Sequence, residues 1–333
     1  MDDGVLLYSV GEAGRFELRR HEIATGAETV IDSSGLMHPD YLAADKLLVA
    51  AERRSERDLA IIADGESTTS LASSTSDDYH GRYSPDGALV AFISRRSGYD
   101  ELWIVDLRDQ ATRRLTRFDG ATVRYPTWHP NGQRILFTVQ TDAGERLHEI
   151  DIISGATRAI GAAELEATTP DWIDDGNAWV YGCRADDTWG ICVADEADAR
   201  RIASGYFRPR PISPGQVAVV DSAGILYSLS LDSGTAVPIW DGLPGNGRLG
   251  WVVTENSLIY SAPAGPANHG RIIRRDRLLG EETVLYEGSM PLADTEISLS
   301  PRTGAILFTR FDAASDDLVI FRDAFDLSSD FRQ

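Results

Sequence analysis

The sequence predicts an all-β protein, a β-propeller built from four-stranded blades. A tight turn, an apolar strand and a second strand that ends in Asp recur along the chain, as in Ser84–Gly87, Ala88–Ile93 and Leu102–Asp106. Successive copies lie at nearly the same distance, 45 positions from Pro85 to Pro130 and 44 from Pro130 to Asp174. This spacing is typical of propeller blades. No segment has the pattern of a long amphipathic helix.

The conformation of the repeated turn explains which residues occur in it. In Ser84–Gly87 the proline presets φ, and Asp followed by Gly supplies the reversal into the next strand. His129–Gly132 repeats the turn with Asn in place of Asp. The strands that follow carry β-branched and aromatic residues, as buried strands do. One unit cannot bury both faces of its sheet, so the units must stack into a ring.

Eight such units are predicted along the chain. Strands predicted for the first four are Val5–Tyr8, Phe16–Arg19, Glu28–Ile31, Leu47–Ala50, Leu59–Ile62, Ala88–Ile93, Leu102–Asp106, Ile135–Val139 and His148–Asp151. Strands predicted for the last four are Trp179–Tyr181, Ile191–Asp195, Val217–Val220, Ile225–Leu229, Trp251–Val253, Leu258–Tyr260, Arg271–Ile273, Ala305–Phe308 and Leu318–Phe321. We expect eight blades, or seven if the first and last units merge, in a single domain over residues 1–333. The first blade lacks its inner strand, because Met1–Gly4 already resembles the turn that should follow it, so we expect a propeller separated from an upstream portion.

Composition narrows the class of protein. The chain has 52 acidic and 32 basic side chains, a formal net charge of −20. Such an acidic surface repels the phosphate backbone, so the chain is a poor candidate for binding nucleic acid. No run approaches the roughly 18 apolar residues of a membrane span, and no signal peptide opens the chain. We therefore expect no DNA-binding or membrane domain in this segment.

The only two cysteines, Cys183 and Cys192, flank a loop in the fifth unit. In an antiparallel hairpin centred on that loop they lie nearly opposite each other. Two interpretations stay open. One is a cross-strand disulfide, which fits an oxidising compartment. The other is a pair of small buried thiols.

Motifs for catalysis are absent from the sequence. It has no Gly-x-Ser-x-Gly elbow, no His-Glu-x-x-His helix and no phosphate-binding glycine loop. A metal site would need His38, His80 and His129 to converge across the channel, but His129 occupies the Ser position of its turn, where it caps the turn. Acidic pairs such as Asp174–Asp175 fall in turns, where Asp serves backbone geometry. We expect no enzyme activity, no hydrolase domain, no metal and no cofactor.

The inner strands of a propeller face its central channel, and here they are rich in arginine and aromatic residues. The candidate residues for binding a ligand or partner at the channel mouth are His80, Arg82, Arg124, Tyr125, Arg208, Arg210 and Arg248. Arginines grouped in this way bind a carboxylate or phosphate through bidentate hydrogen bonds. The alternative is that each arginine pairs with an Asp of its own or the next blade. Trp128 and Trp172 occupy the position that packs between blades.

A family resemblance follows from these residues. The turns Ser84–Gly87 and His129–Gly132, with Phe92–Arg95 and Leu102–Asp106, resemble the PD40 (WD40-like) repeats of the TolB propeller. The resemblance covers essentially the whole chain and is specific in the third, fourth and fifth units. It implies the propeller fold. TolB itself has an extra N-terminal domain and fewer blades than we count here.

The last units show a more particular resemblance. Gly245–Trp251, followed by a final unit ending in Asp317–Arg322, is similar to the C-terminal propeller of CadC-like winged-helix bacterial transcriptional regulators. In that family a cytoplasmic DNA-binding domain is joined through one membrane helix to a periplasmic propeller. The resemblance implies a periplasmic location and a tether through an upstream membrane helix. Without it, we expect a cytoplasmic protein.

Three functions from different classes remain. The favoured one is a non-catalytic sensor or protein-interaction propeller that binds a protein or a small anionic ligand. The second is an accessory propeller that gates substrate entry to a prolyl-oligopeptidase-like peptidase, which requires a hydrolase domain on another chain. The third is a free-standing lyase or hydrolase with a metal in the channel, whose activity would depend on His80 or His129.

Overall fold

A computed structural model describes residues 5–12, 15–32, 36–42, 47–63, 68–72, 74, 76–118, 120–161, 166–185, 187–243, 250–264, 269–288 and 296–322 of the chain. Contacts between Cα atoms divide the chain into two compact units. One comprises Met1–Ser55 and Ala313–Gln333, and the other comprises Glu56–Asp312. No helix in the described part of the chain has the length and apolar character needed to cross a bilayer.

The unit of Met1–Ser55 and Ala313–Gln333 contains a three-stranded antiparallel sheet. Its strands, in sheet order, are β1 (Val5–Glu12), β2 (Arg15–Glu22) and β3 (Glu28–Asp32). The β2–β3 hairpin turns at Gly26, whose φ of 70° is in the left-handed region that glycine adopts without strain. Two further strands follow, β4 (Leu36–Leu42) and β5 (Leu47–Ile62), and β4 pairs with the first half of β5.

The unit of Glu56–Asp312 forms six blades, counted over its described residues. Strand β6 (Thr68–Leu71) pairs with β5 and belongs to the last blade. The strands of blade 1 are β7 (Asp78–Tyr83), β8 (Leu89–Ser94), β9 (Glu101–Asp106) and β10 (Thr112–Arg114). Those of blade 2 are β11 (Thr122–Trp128), β12 (Arg134–Thr141), β13 (Gly144–Asp151) and β14 (Thr157–Ile160). Those of blade 3 are β15 (Glu166–Ile173), β16 (Ala178–Ala185), β17 (Thr188–Ala194) and β18 (Ala199–Ser204), with a 3-10 turn at Asp174–Gly176.

Blades 4 to 6 continue the same pattern. The strands of blade 4 are β19 (Tyr206–Ser213), β20 (Gln216–Asp221), β21 (Leu226–Ser230) and β22 (Ala236–Trp240). Those of blade 5 are β23 (Trp251–Val253), β24 (Ser257–Ala264), β25 (His269–Asp276) and β26 (Glu282–Gly288). Blade 6 combines the two ends of this unit, because β27 (Ser298–Leu299) and residues 306–312 of β28 (Ile306–Arg322) join β6 and residues 56–62 of β5 in one sheet.

Apolar packing between blades closes the ring. Six clusters of buried side chains each join two consecutive blades. The closing cluster contains Leu59 and Leu307 of blade 6 together with Phe92 of blade 1, all fully buried. Burial of each such side chain contributes about 1.5–3 kcal/mol. The Tyr83 amide also donates a hydrogen bond to Ser298 Oγ, 3.1 Å away, across the same junction.

The predicted count of eight or seven blades is wrong, and the described ring has six. The first predicted unit, residues 5–31, forms the three-stranded sheet of the other unit. The predicted strand Leu59–Ile62 is not part of a second blade but supplies a strand of blade 6, beside the predicted strand Ala305–Phe308. The repeat pattern shows where each strand lies in the chain, whereas the partner of a terminal strand depends on the circumference at which the ring closes.

The predicted turn chemistry is confirmed in blade 1. The Ser84 amide donates to the Leu89 carbonyl, and the Leu89 amide donates back to Ser84 Oγ, both at 2.9 Å. Asp86 Oδ1 accepts hydrogen bonds from Ser84 Oγ at 2.6 Å and from the Ala88 amide at 3.0 Å. Gly87 has a φ of 63°, which a side chain would strain. The SPDG sequence is thus a self-contained reversal between the first two strands of a blade.

The two tryptophans predicted to pack between blades do so. Trp128 is 7% exposed, and its indole Nε1 donates to the Arg82 carbonyl of the preceding blade at 3.0 Å. Trp172 of blade 3 lies in a buried cluster with Leu136 and Leu147 of blade 2. Each indole therefore ties one blade to the previous one.

Cys183 and Cys192 are joined by a disulfide between β16 and β17 of blade 3. Their Cα atoms are 5.8 Å apart, within the usual range for a disulfide. In the strand register Cys183 faces Gly190 and Cys192 faces Tyr181, so the bridge is diagonal. Both sulfur-bearing side chains are buried in the cluster between blades 2 and 3.

Candidate functional site

Four consecutive inner strands share a backbone irregularity at the same position. In each of β7, β11, β15 and β19 the register with the next strand shifts, as in a β-bulge. At each shift one residue takes a left-handed conformation: His80 (φ 53°), Tyr125 (φ 53°), Thr169 (φ 48°) and Arg208 (φ 53°). For residues other than glycine this costs of the order of 1–3 kcal/mol each, and such strain clusters at functional sites. The ring therefore holds four non-glycine side chains in a strained, repeated geometry.

Three of these four residues meet at one aromatic ring. The His80 and Tyr125 rings stack with centroids 4.6 Å apart. The Arg208 guanidinium also lies over the Tyr125 ring, 5.9 Å from its centroid, which is a cation–π distance. His80 is 1% exposed and lies behind Tyr125, away from solvent. The bulges thus connect blades 1, 2 and 4 by side-chain contacts.

A cavity of about 360 Å³ opens beside these bulges. Its aromatic walls are Tyr125, Trp189 and Phe207, and its polar lining includes Thr169, Arg208 and Glu145. The residues come from blades 2, 3 and 4, some from inner strands and some from the beginnings of third strands. The volume falls within the range of about 300–1,000 Å³ typical of ligand sites. We call this the mouth cavity.

Deeper along the inner strands lies a cluster of ion pairs. Arg210 Nη2 donates to both carboxylate oxygens of Glu296 at 2.6 Å, and Arg210 Nη1 donates to Asp171 Oδ2 at 3.3 Å. Arg82 Nε lies 3.1 Å from Glu296 Oε2. Thr127 Oγ1 donates to Asp171 Oδ1 at 2.8 Å. We call Arg82, Thr127, Asp171, Arg210 and Glu296 the axial cluster; it links blades 1, 2, 3, 4 and 6.

The pKa values of the two carboxyl groups in the axial cluster are shifted in opposite directions. Burial alone would raise the pKa of Glu296, but the positive charge of Arg82, together with that of Arg208, contributes to offsetting it, so the pKa lies below its usual range. For Asp171 burial dominates and raises the pKa, although Arg82 and the Thr127 hydroxyl act against it. Glu296 is therefore the firmly ionised partner of the arginines.

The structure separates the seven predicted channel-mouth residues into distinct groups. Tyr125 and Arg208 line the mouth cavity, and His80 supports Tyr125 from behind. Arg82 and Arg210 lie in the axial cluster, where they pair with acids of other blades, mostly with a Glu rather than with the Asp that the sequence suggested. Arg124 is half-buried opposite Thr138 on β12, and Arg248 lies outside the described residues.

Sequence reasoning missed Thr169 and Trp189 as lining residues of the mouth cavity. A signal for Thr169 was present, because Tyr125, Thr169 and Arg208 each precede a proline in their inner strands. Aligning those three prolines would have placed Thr169 at the same bulge. Trp189 carries no such signal, since it reaches the cavity from β17 through the packing of blade 3.

The histidines proposed for a metal site have other roles or lie apart. His129 Nδ1 accepts a hydrogen bond from the Asn131 amide at 3.0 Å, and its Nε2 lies 3.2 Å from the Gly176 carbonyl, to which it donates. Burial, with the charge of Arg134, lowers the pKa of His129. Within the described residues no group of three or more His, Cys, Asp or Glu side chains is arranged to hold a metal ion. The side chain of His38 lies outside those residues.

The sequence pattern described as the TolB beta propeller domain, PD40, matches residues 2–188 and 64–241 of the chain. The chain belongs to this TolB β-propeller family. The Tol-Pal system protein TolB of Hydrogenovibrio crunogenus is 29% identical over 102 residues, 28% of this chain and 22% of that protein. The uncharacterized peptidase YuxL of Bacillus subtilis is 39% identical over 69 residues, 20% of this chain and 10% of that protein. The chain thus matches less than a quarter of the length of either relative.

Solved structures agree on the fold of this TolB-type propeller. TolB from Acinetobacter baumannii superposes with a TM-score of 0.55 at 12% identity, covering 95% of this chain and 82% of that one. A puromycin-hydrolyzing peptidase of Mycobacterium tuberculosis gives 0.52 at 13% identity, over 85% of this chain and 53% of that one. An oligogalacturonate lyase in complex with manganese gives 0.51 at 13% identity, over 86% and 82%. At such identities the likeness concerns the fold alone.

Proposed function

We propose that this TolB-type propeller is a non-catalytic binding domain that recognises a protein partner at the mouth cavity. The observation that carries the proposal is the set of four left-handed bulges at His80, Tyr125, Thr169 and Arg208. Strain repeated in four blades is maintained only where the surroundings enforce it, and a ligand-binding surface is a common reason for such strain. The mouth cavity is lined by Tyr, Trp, Phe and Arg side chains. Several of these residue types are enriched among the residues that contribute most of the binding energy at protein interfaces.

Binding accounts for the ionisable groups near the channel better than catalysis does. Glu296 is 2% exposed and its two oxygens are engaged by arginines, so it is poorly placed to exchange a proton with a substrate. His129 uses both ring nitrogens in its turn. General acid–base catalysis needs a titratable group within hydrogen-bond reach of the substrate.

The finer form of the proposal is a sensor domain. The similarity of Gly245–Trp251 and Asp317–Arg322 to CadC-like regulators supports a periplasmic propeller that transmits occupancy of the mouth cavity to an upstream output domain. Arg82 and Arg210 pair with Glu296, and Arg210 also pairs with Asp171, so these contacts connect four blades next to that cavity and give a binding event a direct physical route into the ring.

A second candidate is an accessory propeller for a peptidase, favoured by the fold shared with the puromycin-hydrolyzing peptidase. A gating propeller needs a passage through its ring. Arg210 spans from Asp171 of blade 3 to Glu296 of blade 6, across the interior, and this contact supports a closed channel instead. Hydrolysis of a peptide only when the propeller is added to a separate hydrolase would favour this candidate.

Site-specific photo-crosslinking tests the proposed function. A photoreactive phenylalanine analogue replaces Phe207 in the mouth cavity, and a control carries it at Val237, which is 59% exposed on β22. We expect one defined protein adduct from position 207 in the producing cells, and none from position 237. The adduct should disappear when Tyr125→Ala is added, because the aromatic wall is then lost.

Equal adducts from both positions, or none from position 207, would count against partner binding at this cavity. Metal analysis of the purified protein distinguishes a metal-dependent lyase from a binding domain. Stoichiometric metal, together with turnover that is lost in His80→Ala, would replace binding by catalysis as the function.

A further inference from the structure

The mouth cavity contains a positively charged side chain, that of Arg208. Arg208 lines both this cavity and a small cavity of about 10 Å³ that Glu296 also lines. Around the two cavities, three positive charges from Arg82, Arg208 and Arg210 stand against three negative charges from Asp171, Glu296 and Glu145. Of these groups, Arg208 and Glu145 line the mouth cavity itself.

A buried hydrogen-bond donor stands in the same cavity. Thr169 is 7% exposed and lines the mouth cavity together with Arg208. Its Oγ1 has no hydrogen-bond partner within the described part of the chain. Buried hydroxyl groups are nearly always hydrogen-bonded, so this one is suited to an acceptor atom of a ligand. An anion offers such an acceptor, and the charge of Arg208 attracts it.

The walls of the mouth cavity can pack against an apolar group attached to that anion. Tyr125, Trp189 and Phe207 present aromatic surface. A volume of about 360 Å³ is near the lower end of the range for ligand sites, which fits one or two residues of a peptide rather than a folded surface. Glu145 also lines the cavity, and its charge opposes an anion.

We propose that the mouth cavity binds a carboxylate attached to an apolar or aromatic group, with the carboxylate held by Arg208 and Thr169 Oγ1 and the apolar group packed among Tyr125, Trp189 and Phe207. The inference rests on the proposed function, since it uses the same site and names the chemistry recognised there. Arginine binds carboxylates through paired, charge-assisted hydrogen bonds. The carboxylate is supplied either by the C-terminal residue of a partner protein or by a small organic acid.

Two small probes of nearly the same shape test the charge requirement. N-acetyl-L-phenylalanine and its amide are titrated into the full chain near pH 7, and their binding is followed by ligand-observed NMR. We expect the acid to bind at least about tenfold more tightly than the amide, as a hydrogen bond between charged groups implies. In Arg208→Gln the acid-to-amide ratio should fall to about one. Arg113→Gln, the same change on the outer strand β10, should keep the ratio of the unaltered protein.

Two further variants make the test independent of the folding of Arg208→Gln. Thr169→Val keeps the shape of the side chain and removes the hydroxyl, so the acid should bind several-fold more weakly. Glu145→Gln removes the opposing charge, so the acid should bind more tightly. Weaker binding of the acid to Glu145→Gln would mean that the cavity recognises a positive group, and it would overturn the inference.

The source of the carboxylate is decided by a second pair of probes. A hexapeptide ending in phenylalanine is compared with 3-phenylpropionate. Tighter binding of the peptide identifies a protein C-terminus, and binding of 3-phenylpropionate alone identifies a small acid. Equal binding of the acid and amide probes, or binding of neither at millimolar concentration, overturns the carboxylate inference. A crosslinked partner at position 207 would still leave the proposed function standing in that case.

Discussion

Replacing Glu296 by Gln removes the negative charge at the centre of the axial cluster and keeps the shape of the side chain. Glu296 is 2% exposed, receives two hydrogen bonds of 2.6 Å from Arg210 and lies 3.1 Å from Arg82. Without this carboxylate, two largely buried guanidinium groups keep their charge and lose their main partner. Breaking a buried ion pair from one side costs about 3–5 kcal/mol. We expect Glu296→Gln to destabilise the propeller by this amount.

Thermal unfolding followed by tryptophan fluorescence measures the effect. For a domain of this size, 1 kcal/mol shifts the midpoint by about 2–4 °C, so Glu296→Gln should lower it by about 6–20 °C. The matched control is Glu196→Gln, which removes the same charge from an exposed pair with Arg158. Exposed ion pairs contribute less than about 1 kcal/mol. The control should therefore unfold within a few degrees of the unaltered protein.

Equal unfolding temperatures for Glu296→Gln and Glu196→Gln would contradict this prediction. That result would mean that water reaches the axial cluster and screens its charges as it does at the surface. The double variant Glu296→Gln, Arg210→Met offers a second check. Removing one of the two guanidinium groups that have lost the Glu296 carboxylate should recover part of the lost stability, because less uncompensated positive charge then remains buried.

Four further predictions follow from single contacts. The pKa of Glu296 is lowered, so its stabilising effect is present above the ordinary value of 4.5 and is lost as the pH falls through the folded-state pKa; the difference in unfolding midpoint between the unaltered protein and Glu296→Gln should shrink below about pH 4.5, and a constant difference would contradict it. Trp128→Phe removes the indole hydrogen bond to the preceding blade and should cost about 1–3 kcal/mol in urea unfolding, whereas no change would show that the bond is dispensable. His129→Ser should cost less than about 1 kcal/mol, since serine caps the equivalent turn of blade 1, and His129→Ala should cost more; equal losses would refute the capping role. The double variant Cys183→Ala, Cys192→Ala opens a loop with a sequence separation of 9 and should lose about 2–3 kcal/mol, while free thiols detected in the denatured, unreduced protein would contradict the bridge.

The all-β propeller fold could be predicted from local sequence because it is built from local pieces. Ser84–Gly87 closes its turn with its own side chains, and His129–Gly132 uses the same pattern with an imidazole as the acceptor. Each hairpin of a blade joins strands that are neighbours in the chain. The blade count was not predictable in the same way, because Leu59–Ile62 belongs to a sheet that also contains β27 and β28, which lie more than 200 residues further along the chain.

The residue types of the candidate site could be predicted from the sequence. Which residues line the mouth cavity and which belong to the axial cluster could not. His80, Tyr125 and Arg208 could be named because they stand at inner-strand positions, and the structure brings these three together. Nothing in the local sequence separates Arg208, which lines the cavity, from Arg210 two positions later, which lies in the axial cluster. That division depends on the bulge, which shifts the register between them.

The β-propeller class, the turns and the tryptophans that join the blades can be predicted from the amino-acid sequence, because they depend on contacts within one blade or with the next. Three features become visible only in the folded chain: six blades close the ring, Leu59 of β5 and Leu307 of β28 meet in blade 6, and Glu296 faces Arg210 across the interior. The difference comes from distance along the chain. Closure and the axial cluster arise from residues far apart in sequence, whose meeting depends on the accumulated twist and packing of every blade between them.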